Sequence, residues 1–357
     1  MSPLLREAEE AGIKGLKRKN NPANFQPEDF FREVDLTRDL FSRLIGMNSP
    51  EQVTVSPSAA YALANIAKNI PTDGKSEILI CDDQFPSNYY IWKRLAEQKD
   101  LDLIQVRRPT ESHRWTEALL SRINLATAVV SIPILHWGDG QLFDLEAIRE
   151  KTKKYNCLFV LDGTQSIGAL PFDQKKIEVD ALVVSAYKWL LGPYNLAVTF
   201  YGEKFNAGVP IEEHWLNRYR SENFQYLTEY EENYRSGARR YEMGEAADFI
   251  KIPMLNVGLK QLLNWTPVAI QNYCQSIVEP ILEPLALRGF SHPRKDLMAY
   301  HLFGIRVPRD VKIEQAQEAL NSENIKVSFR KDVIRISPYL YNTAQDLENL
   351  ALCLSKL

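Results

Sequence analysis

The spacing of hydrophobic positions changes along the chain and divides it into regions. Between Glu28 and Leu44, apolar side chains recur every three or four residues, which predicts an amphipathic helix. From Ile78 to Tyr201 the apolar positions form short continuous runs instead, and after about Ile250 the pattern changes again. The residues before Glu28 are predicted to form a helix followed by an irregular connection.

Six continuous apolar runs are predicted to be buried strands. They lie at 78–81, 102–106, 128–135, 157–161, 181–185 and 197–201. Helical segments such as SNYYIWKRLAEQ and FDLEAIREKTKKY lie between several of the runs. Continuous apolar strands that alternate with helices indicate the α/β class, with a mainly parallel sheet between layers of helices.

The last hundred residues predict a smaller α+β unit. A long helix is expected from Pro267, with a break or kink at Pro280. A strand, a helix, two strands and a final helix follow it. We therefore predict an N-terminal segment at 1–26, a large domain at 27–250 and a small C-terminal domain at 251–357.

Composition removes several classes of function. The chain has 357 residues, is 45% hydrophobic and 25% charged, and carries a formal net charge of -3. These values are typical of a globular protein and give no reason to expect a nucleic-acid or membrane partner. The four cysteines lack the spacing of a zinc site, so no metal is expected. Few cysteines and no secretory signal favour a cytoplasmic location.

The block from 158 to 193 carries the chemistry of greatest interest. Asp162 directly follows one predicted strand, and Lys188 follows the next by a few residues. The carboxyl ends of parallel strands share one sheet edge, where ligands bind. A carboxylate there can keep a pyridine nitrogen protonated, and an amine can form a Schiff base with pyridoxal phosphate (PLP). Taken alone, Lys188 also fits a solvated surface lysine, and Asp162 also fits a turn-forming residue.

The same block resembles the class V aminotransferase family of fold type I PLP enzymes, which includes cysteine desulfurases, kynureninases and isopenicillin N epimerases. The resemblance rests on the pair Asp162 and Gln165 and on Ser185, Tyr187 and Lys188. It implies PLP as the cofactor and an internal aldimine at Lys188. It also implies that Asp162 pairs with the pyridinium, that Gln165 bonds the ring hydroxyl, and that Ser185 and Tyr187 reach the phosphate.

Two further segments are expected to hold the cofactor. A helix predicted to start near Ser58 presents free N–H groups to an anion, so Ser58 and Ala59 are assigned to the phosphate. Plain N-capping by Ser58 would give the same pattern. By resemblance, Phe85 stacks on the cofactor ring, with ordinary core packing as the alternative. Kynureninase-like sequences tend to have Asp where this chain has Asn88.

Substrate contacts are expected from two other segments. Trp137 and Asp139 follow a predicted strand and are candidates to face the ring and the substrate, whereas His136 is expected to be a structural hydrogen-bonder. Arg335 resembles the family's arginine for the substrate α-carboxylate, a role that suits a planar guanidinium. An arginine on the solvated face of an edge strand is the alternative.

A basic turn is expected to join two copies of the chain. By resemblance, Ser236, Gly237 and Ala238 form a loop that reaches the phosphate site of a partner in a homodimer. Arg239 and Arg240 are expected to pair with substrate or with interface acids, and a solvated basic turn is the alternative. Relatives commonly carry a further segment before the equivalent of Met1–Leu5. We therefore expect either a longer native N-terminus or a different N-terminal wall of the substrate pocket.

The residues leave several reactions open. Aminotransferase-type chemistry on an amino acid is favoured on family frequency. A kynureninase-like or β-eliminating lyase and an epimerase are alternatives, and a non-catalytic PLP-binding protein ranks last. A persulfide-forming desulfurase is disfavoured because no cysteine lies between Cys274 and Cys353.

Overall fold

A computed structural model describes residues 2–72, 74–109 and 115–357 of the chain. Within these residues, seven strands form one large sheet. They are β1 (Val53–Ser56), β2 (Glu77–Cys81), β3 (Asp102–Val106), β4 (Thr127–Pro133), β5 (Leu158–Asp162), β6 (Ala181–Ser185) and β7 (Ala197–Tyr201). The six strands predicted from apolar runs are all present, and β1 is a seventh.

The strand order in the large sheet is β1-β7-β6-β5-β4-β2-β3. Neighbouring strands from β3 to β6 are parallel, and β7 is antiparallel to both β6 and β1. Pro133 at the end of β4 lies opposite Asp162 at the end of β5, and Asp162 lies opposite Val183. The predicted mainly parallel sheet is confirmed, and its carboxyl edge brings Asp162 beside the ends of β4 and β6.

Helices cover both faces of this sheet. They are α1 (Arg6–Arg18), α2 (Asp29–Leu44), α3 (Ala59–Lys68), α4 (Pro86–Lys99), α5 (Trp115–Arg122), α6 (Leu145–Lys154), α7 (Gln174–Ile177) and α8 (Lys251–Trp265). Alternate residues of a strand enter different cores: Leu79 packs with α2, α5, α6 and α8, whereas Ile78 and Ile80 pack with α3 and α4. Burial on both faces explains why the strands are continuously apolar.

The N-terminal helix α1 packs closely against α8. Small residues permit this approach, because a Cβ atom at Gly15 would lie 2.0 Å from the Phe249 carbonyl oxygen. The N-terminal segment is therefore tied to the region that follows the large sheet. The predicted domain limits at 26/27 and 250/251 stay predictions.

The C-terminal part forms a second, three-stranded antiparallel sheet in the order β8-β10-β9. Its elements are α9 (Pro267–Leu287), β8 (Phe303–Arg306), α10 (Ile313–Ser322), β9 (Ser328–Arg330), β10 (Val333–Ile336) and α11 (Ala344–Leu354). The helix α9 continues through Pro280, so a break there is wrong, whereas the kink that was the other expectation stays a prediction. Buried neighbours on one face, including Ile277 and Ile281, hold the helix in place although proline removes a backbone donor. Across the described parts of the chain, no helix combines the length and the apolarity that a bilayer crossing requires.

Candidate active site

Two cavities meet at Lys188. The first, which we name the sheet-edge cavity, has a volume of about 240 Å³ and lies at the carboxyl ends of β4, β5 and β6. The second, named the arginine cavity, has a volume of about 230 Å³ and includes residues of the small sheet. Residues that line both are Phe85, Trp137, Gln165 and Lys188. Lys188 therefore has access to two different environments.

Asp162 occupies the sheet-edge cavity and is held by two donors. Asn88 Nδ2 donates to Asp162 Oδ2 at 2.6 Å, and the Thr164 backbone N donates to Oδ1 at 2.8 Å. The Thr164 hydroxyl accepts in turn from the Ser185 backbone N at 3.0 Å. Asn88 Oδ1 is buried without a hydrogen-bond partner among the described residues. The carboxylate is thus fixed in orientation by the ends of β5 and β6 and the first turn of α4.

The Lys188 amine is partly buried between aromatic rings. Its Nζ lies 5.7 Å from the Phe85 ring centroid and 5.6 Å from that of Tyr187. Desolvation lowers the pKa of Lys188 to about 8; Asp162 opposes this, and the charges of Arg335 and Arg330 add to it. A substantial fraction of the amine is therefore neutral, and hence nucleophilic, near neutral pH.

Gln165 is held by a buried network behind the lysine. Trp189 Nε1 donates to Gln165 Oε1 at 3.3 Å, and the Gln165 carbonyl oxygen lies 2.7 Å from His301 Nε2. Gln271 Nε2 lies 2.7 Å from His301 Nδ1, so Nδ1 accepts and Nε2 carries the proton. Burial lowers the pKa of His301 to about 4, which keeps the ring neutral. The Gln165 amide NH₂ has no hydrogen-bond partner among the described residues, and Gln165 lines both cavities.

The N-terminus of α3 forms one wall of the sheet-edge cavity. Ser58, Ala59 and Ala60 line it, together with Ser185 and Tyr187. The Ser58 hydroxyl accepts from the Tyr61 backbone N at 3.1 Å, so the N-capping role is present. A hydroxyl that accepts in this way can still donate, and the small side chains leave the helix N–H groups accessible. The wall suits a phosphate, whose binding by these residues stays a prediction.

Phe85 and Trp137 separate the two cavities. Their rings meet edge to face with centroids 5.6 Å apart, and Phe85 is 38% exposed. Trp137 Nε1 donates to the Asp83 carbonyl oxygen at 2.7 Å. The exposed face of Phe85 is available for a planar ring, so its predicted stacking role has room in this structure.

Arg335 lines the arginine cavity from β10. Its Nη1 donates to the Trp137 carbonyl oxygen at 2.8 Å, and its Nη2 lies 3.5 Å from Ser328 Oγ. Within the described residues, Arg335 forms no ion pair, and its Nε is buried without a partner. Burial lowers the pKa of Arg335 to about 10, with a further contribution from Arg330. The guanidinium is cationic at neutral pH and lacks a counter-ion, as expected of a carboxylate-binding group.

Asp139 lines neither cavity, and its predicted contact with the ring and substrate stays a prediction. It is buried and pairs with Arg108 and with His136. Burial opposes its ionisation, but the His136 hydrogen bond and the Arg108 charge outweigh this and hold the pKa of Asp139 below its ordinary value. A Cβ at Gly304 would lie 2.9 Å from Asp139 Cα, so the segment packs against β8 instead of the cavity. His136 is a structural hydrogen-bonder, as predicted.

The basic turn at 236–241 lies away from the two cavities of its own chain. Ala238 is 1% exposed and packs in the core beside α3 and α4. Gly237 has φ +63° and approaches the Glu51 carbonyl. Arg239 pairs with Asp35 of the same chain. Contact of Ser236–Ala238 with the phosphate site of a partner stays a prediction.

Several residues of the site were not predicted from the sequence. Asn88 stood out only as a departure from kynureninases, yet it bonds Asp162 directly. Ser2 lines the arginine cavity, and its hydroxyl donates to the Lys188 carbonyl oxygen at 2.5 Å. Other additions to the lining include Thr164, Trp189, Tyr194, Asn195, Arg330, Ser337, Tyr339 and Tyr341. Ser337, Tyr339 and Tyr341 occupy every second position after Arg335, in the segment SPYLYN that follows β10.

The order of the large sheet, its helical layers and the cavity at its carboxyl edge are those of fold type I PLP enzymes. The family model described as "Aminotransferase class-V" matches residues 24–350, and the chain belongs to this family. The predicted family and fold class are confirmed. Membership also supports the predicted cofactor, PLP.

Curated relatives are distant but extend along most of the chain. An uncharacterized aminotransferase, YcbU of Bacillus subtilis, is 24% identical over 331 residues, which cover 90% of this chain and 83% of the relative. The kynureninase of Shouchella clausii is also 24% identical, over 354 residues that cover 95% of this chain and 79% of the relative. The relatives therefore differ in the reaction that their names describe.

Solved structures show the same fold. A C-DES mutant with glycine covalently linked to the PLP cofactor gives a TM-score of 0.86 at 15% identity and covers 99% of this chain and 94% of that one. The apo cysteine desulfurase of Thermococcus onnurineus NA1 gives 0.81 at 16% identity, with 97% and 91% covered. At sequence identities of 15% and 16%, the similarity to these structures shows a shared fold only.

Proposed function

We propose that this protein is a PLP-dependent enzyme that acts on an amino acid through a covalent link at Lys188, with aminotransferase-type chemistry. One observation carries the proposal: Lys188 lies where two cavities meet, with Asp162 in one and Arg335 in the other. One cavity suits a cofactor and the other an amino-acid carboxylate. The lysine is the group that can act on both.

The sheet-edge cavity fits PLP in its charges and shape. Asp162 offers a carboxylate to a ring nitrogen, Phe85 offers a ring face, and the start of α3 at Ser58 and Ala59 offers N–H groups to a phosphate. Ser185 and Tyr187 offer hydroxyls beside it. When bound, PLP supplies an electron sink that weakens bonds at the α-carbon of an amino acid.

The protein's own groups supply proton control at this site. Asp162, fixed by Asn88 and Thr164, would keep a proton on the ring nitrogen by offering it a negative charge. The Gln165 amide would donate a hydrogen bond to the ring hydroxyl. Lys188 Nζ, which is neutral in part near pH 7, accepts and returns a proton at the substrate α-carbon.

Arg335 orients the substrate in this proposal. Its planar guanidinium binds the α-carboxylate with two parallel hydrogen bonds, a geometry that lysine cannot reproduce. The missing ion pair within the described residues and the unpartnered Nε support this role. Trp137 closes the wall beside it and accepts from Arg335 through its backbone carbonyl.

The cysteines argue against persulfide chemistry. Cys81, Cys157, Cys274 and Cys353 are all buried, and none lines either cavity. Burial raises the pKa of Cys157 to about 11 and that of Cys274 to about 12. A thiol that stays protonated and lies away from the site is a poor nucleophile toward a substrate sulfur.

A kynureninase-like lyase is the second candidate. Aromatic side chains of Trp189, Tyr339 and Tyr341 line the arginine cavity, and Tyr187 is the form found before the lysine in kynureninase-like sequences. Asn88 stands where those sequences tend to have Asp, which favours the first candidate.

We also propose a homodimer in which Ser236–Ala238 reaches the phosphate site of the partner. A cytoplasmic location is proposed as well, in keeping with four free buried thiols.

Product analysis separates these reactions. The holoprotein is mixed with one amino acid at a time, in the absence of a 2-oxo acid acceptor. Aminotransferase chemistry releases one equivalent of 2-oxo acid and then stops, whereas a lyase releases product continuously and an epimerase yields the other enantiomer. Continuous release of anthranilate from kynurenine would replace the first candidate with the second. The Lys188→Ala variant is the control and should yield none of these products.

A further inference from the structure

The arginine cavity contains a second guanidinium, that of Arg330 on β9. Within the described residues, Arg330 donates from Nη1 to the Phe329 carbonyl oxygen at 2.6 Å, forms no ion pair, and has a buried Nε without a partner. Its guanidinium lies over the Trp137 ring, with Cζ 5.1 Å from the ring centroid. A guanidinium over an aromatic face gains a cation–π attraction and keeps N–H donors at its edge for a planar anion.

The charges around this cavity are unbalanced. Lys188, Arg330 and Arg335 line it, and no described aspartate or glutamate does. Asp162 lies in the other cavity, where its charge acts on Lys188, while Asp83 pairs with Lys331 and Asp139 with Arg108. A single α-carboxylate would neutralise one of the two arginines. The other would remain a desolvated cation without a partner, which is costly.

Neutral hydrogen-bond donors in the arginine cavity also favour a second anionic group on the substrate. The Tyr339 side chain lines the same cavity, and its buried Oη has no hydrogen-bond partner in the described parts of the chain. Ser337 and Tyr341 add two more hydroxyls. An apolar or purely aromatic side chain would satisfy none of these groups, whereas a carboxylate accepts several hydrogen bonds at once.

We propose that the substrate is an amino acid whose side chain ends in a second carboxylate, and that Arg330 binds this group while Arg335 binds the α-carboxylate. The proposal rests on the function proposed above, and it narrows the substrate class to acidic amino acids. Arg330 acts as a specificity-determining residue. Its counter-ion arrives with the substrate, which explains why no described acid lines a cavity that contains two arginines.

Ligand binding tests this class without requiring turnover. The holoprotein is titrated with succinate and glutarate, and with the monocarboxylates butyrate and valerate of matched length, by calorimetry. In parallel, aspartate is compared with asparagine, and glutamate with glutamine, by the change in cofactor absorbance. Arg330→Gln removes the second charge, and Arg330→Lys keeps the charge without the planar fork. Arg306→Gln is the matched control, because Arg306 lies on β8, pairs with Asp332 and lines neither cavity.

The wild type should bind dicarboxylates and acidic amino acids at least about tenfold more tightly than their neutral counterparts. Arg330→Gln should remove that preference, Arg330→Lys should retain part of it, and Arg306→Gln should leave it unchanged. Equal binding of acidic and neutral ligands by the loaded wild type, or an unchanged preference in a folded Arg330→Gln variant, would overturn the proposal. A protein that takes up no cofactor would contradict the proposed function instead, and calorimetry with dicarboxylates would still report on Arg330.

Discussion

Asn88 Nδ2 donates a hydrogen bond to Asp162 Oδ2 at 2.6 Å. The two residues are 74 positions apart, at the start of α4 and at the end of β5, and the parallel sheet brings these element ends together. Because the Asn88 amide is neutral, it orients the Asp162 carboxylate without neutralising its negative charge. The contact thereby links the first turn of a helix to the group proposed to hold the cofactor ring.

Asn88→Ala should weaken cofactor binding. Asp162 would then keep only the Thr164 backbone donor, and a hydrogen bond to a charged group is worth about 1.5–3 kcal/mol. We expect the dissociation constant for PLP to rise about tenfold or more, measured by fluorescence titration of the apoprotein. Asn321→Ala on the exposed face of α10 is the control. An unchanged constant would remove Asn88 from the support of Asp162.

The rate of PLP attachment to the apoprotein should rise with pH and level off above about pH 8. The neutral amine attacks, and a pKa of about 8 leaves about a tenth of Lys188 neutral at pH 7, roughly 200-fold more than for an ordinary lysine. Arg335→Gln removes a positive charge that disfavours protonation of Lys188, so the midpoint should move to higher pH. Stopped-flow absorbance gives the profile, and a midpoint near pH 10 in the wild type would contradict the burial argument.

Phe85→Leu should reduce cofactor affinity by about threefold to tenfold, because aromatic stacking is worth about 0.5–1.5 kcal/mol beyond area burial. Phe85→Tyr keeps the ring and should bind PLP nearly as well as the wild type. The comparison uses equilibrium dialysis of the two variants at one temperature. Equal losses in both variants would indicate a packing defect in place of a lost ring contact.

His301 should make the free energy of unfolding depend on pH below 6.5. Its pKa is about 4 in the folded chain and near the ordinary 6.5 when unfolded, so the unfolded state binds the extra proton and stability falls as pH drops. Between pH 6 and 5 the loss should be about 1 kcal/mol, and His301→Gln should lack it. Urea unfolding at both pH values measures this loss, with the partly exposed His292→Gln as the control. An equal pH dependence in wild type and His301→Gln would show that folding does not lower the pKa of His301.

Local patterns predicted the elements of the large sheet well. Strands such as Ala181–Ser185 are buried on both faces, so their apolar runs are continuous and easy to recognise. Asp162 and Lys188 were placed on one edge because parallel strands share the direction of their carboxyl ends. Helix α9 was harder, because the effect of Pro280 depends on tertiary packing of the residues around it.

Local sequence patterns did not predict which residues line the arginine cavity. Arg330 and Tyr339 lie on either side of Arg335 in sequence, yet their unpartnered atoms become apparent only once Trp137 from the large sheet packs beside them. Asp139 is a related case. It follows a strand, and its pairing with Arg108 joins it to a segment 31 positions away. Such pairings depend on distant contacts that no spacing encodes.

Borohydride trapping identifies the lysine that carries the cofactor. The purified holoprotein is reduced with sodium borohydride, digested, and its peptides are mapped by mass spectrometry. We expect one pyridoxyl-modified peptide, with the modification on Lys188, and loss of that peptide in Lys188→Ala. A cofactor adduct on another lysine, or no cofactor in a folded protein supplied with PLP, would contradict the role of Lys188.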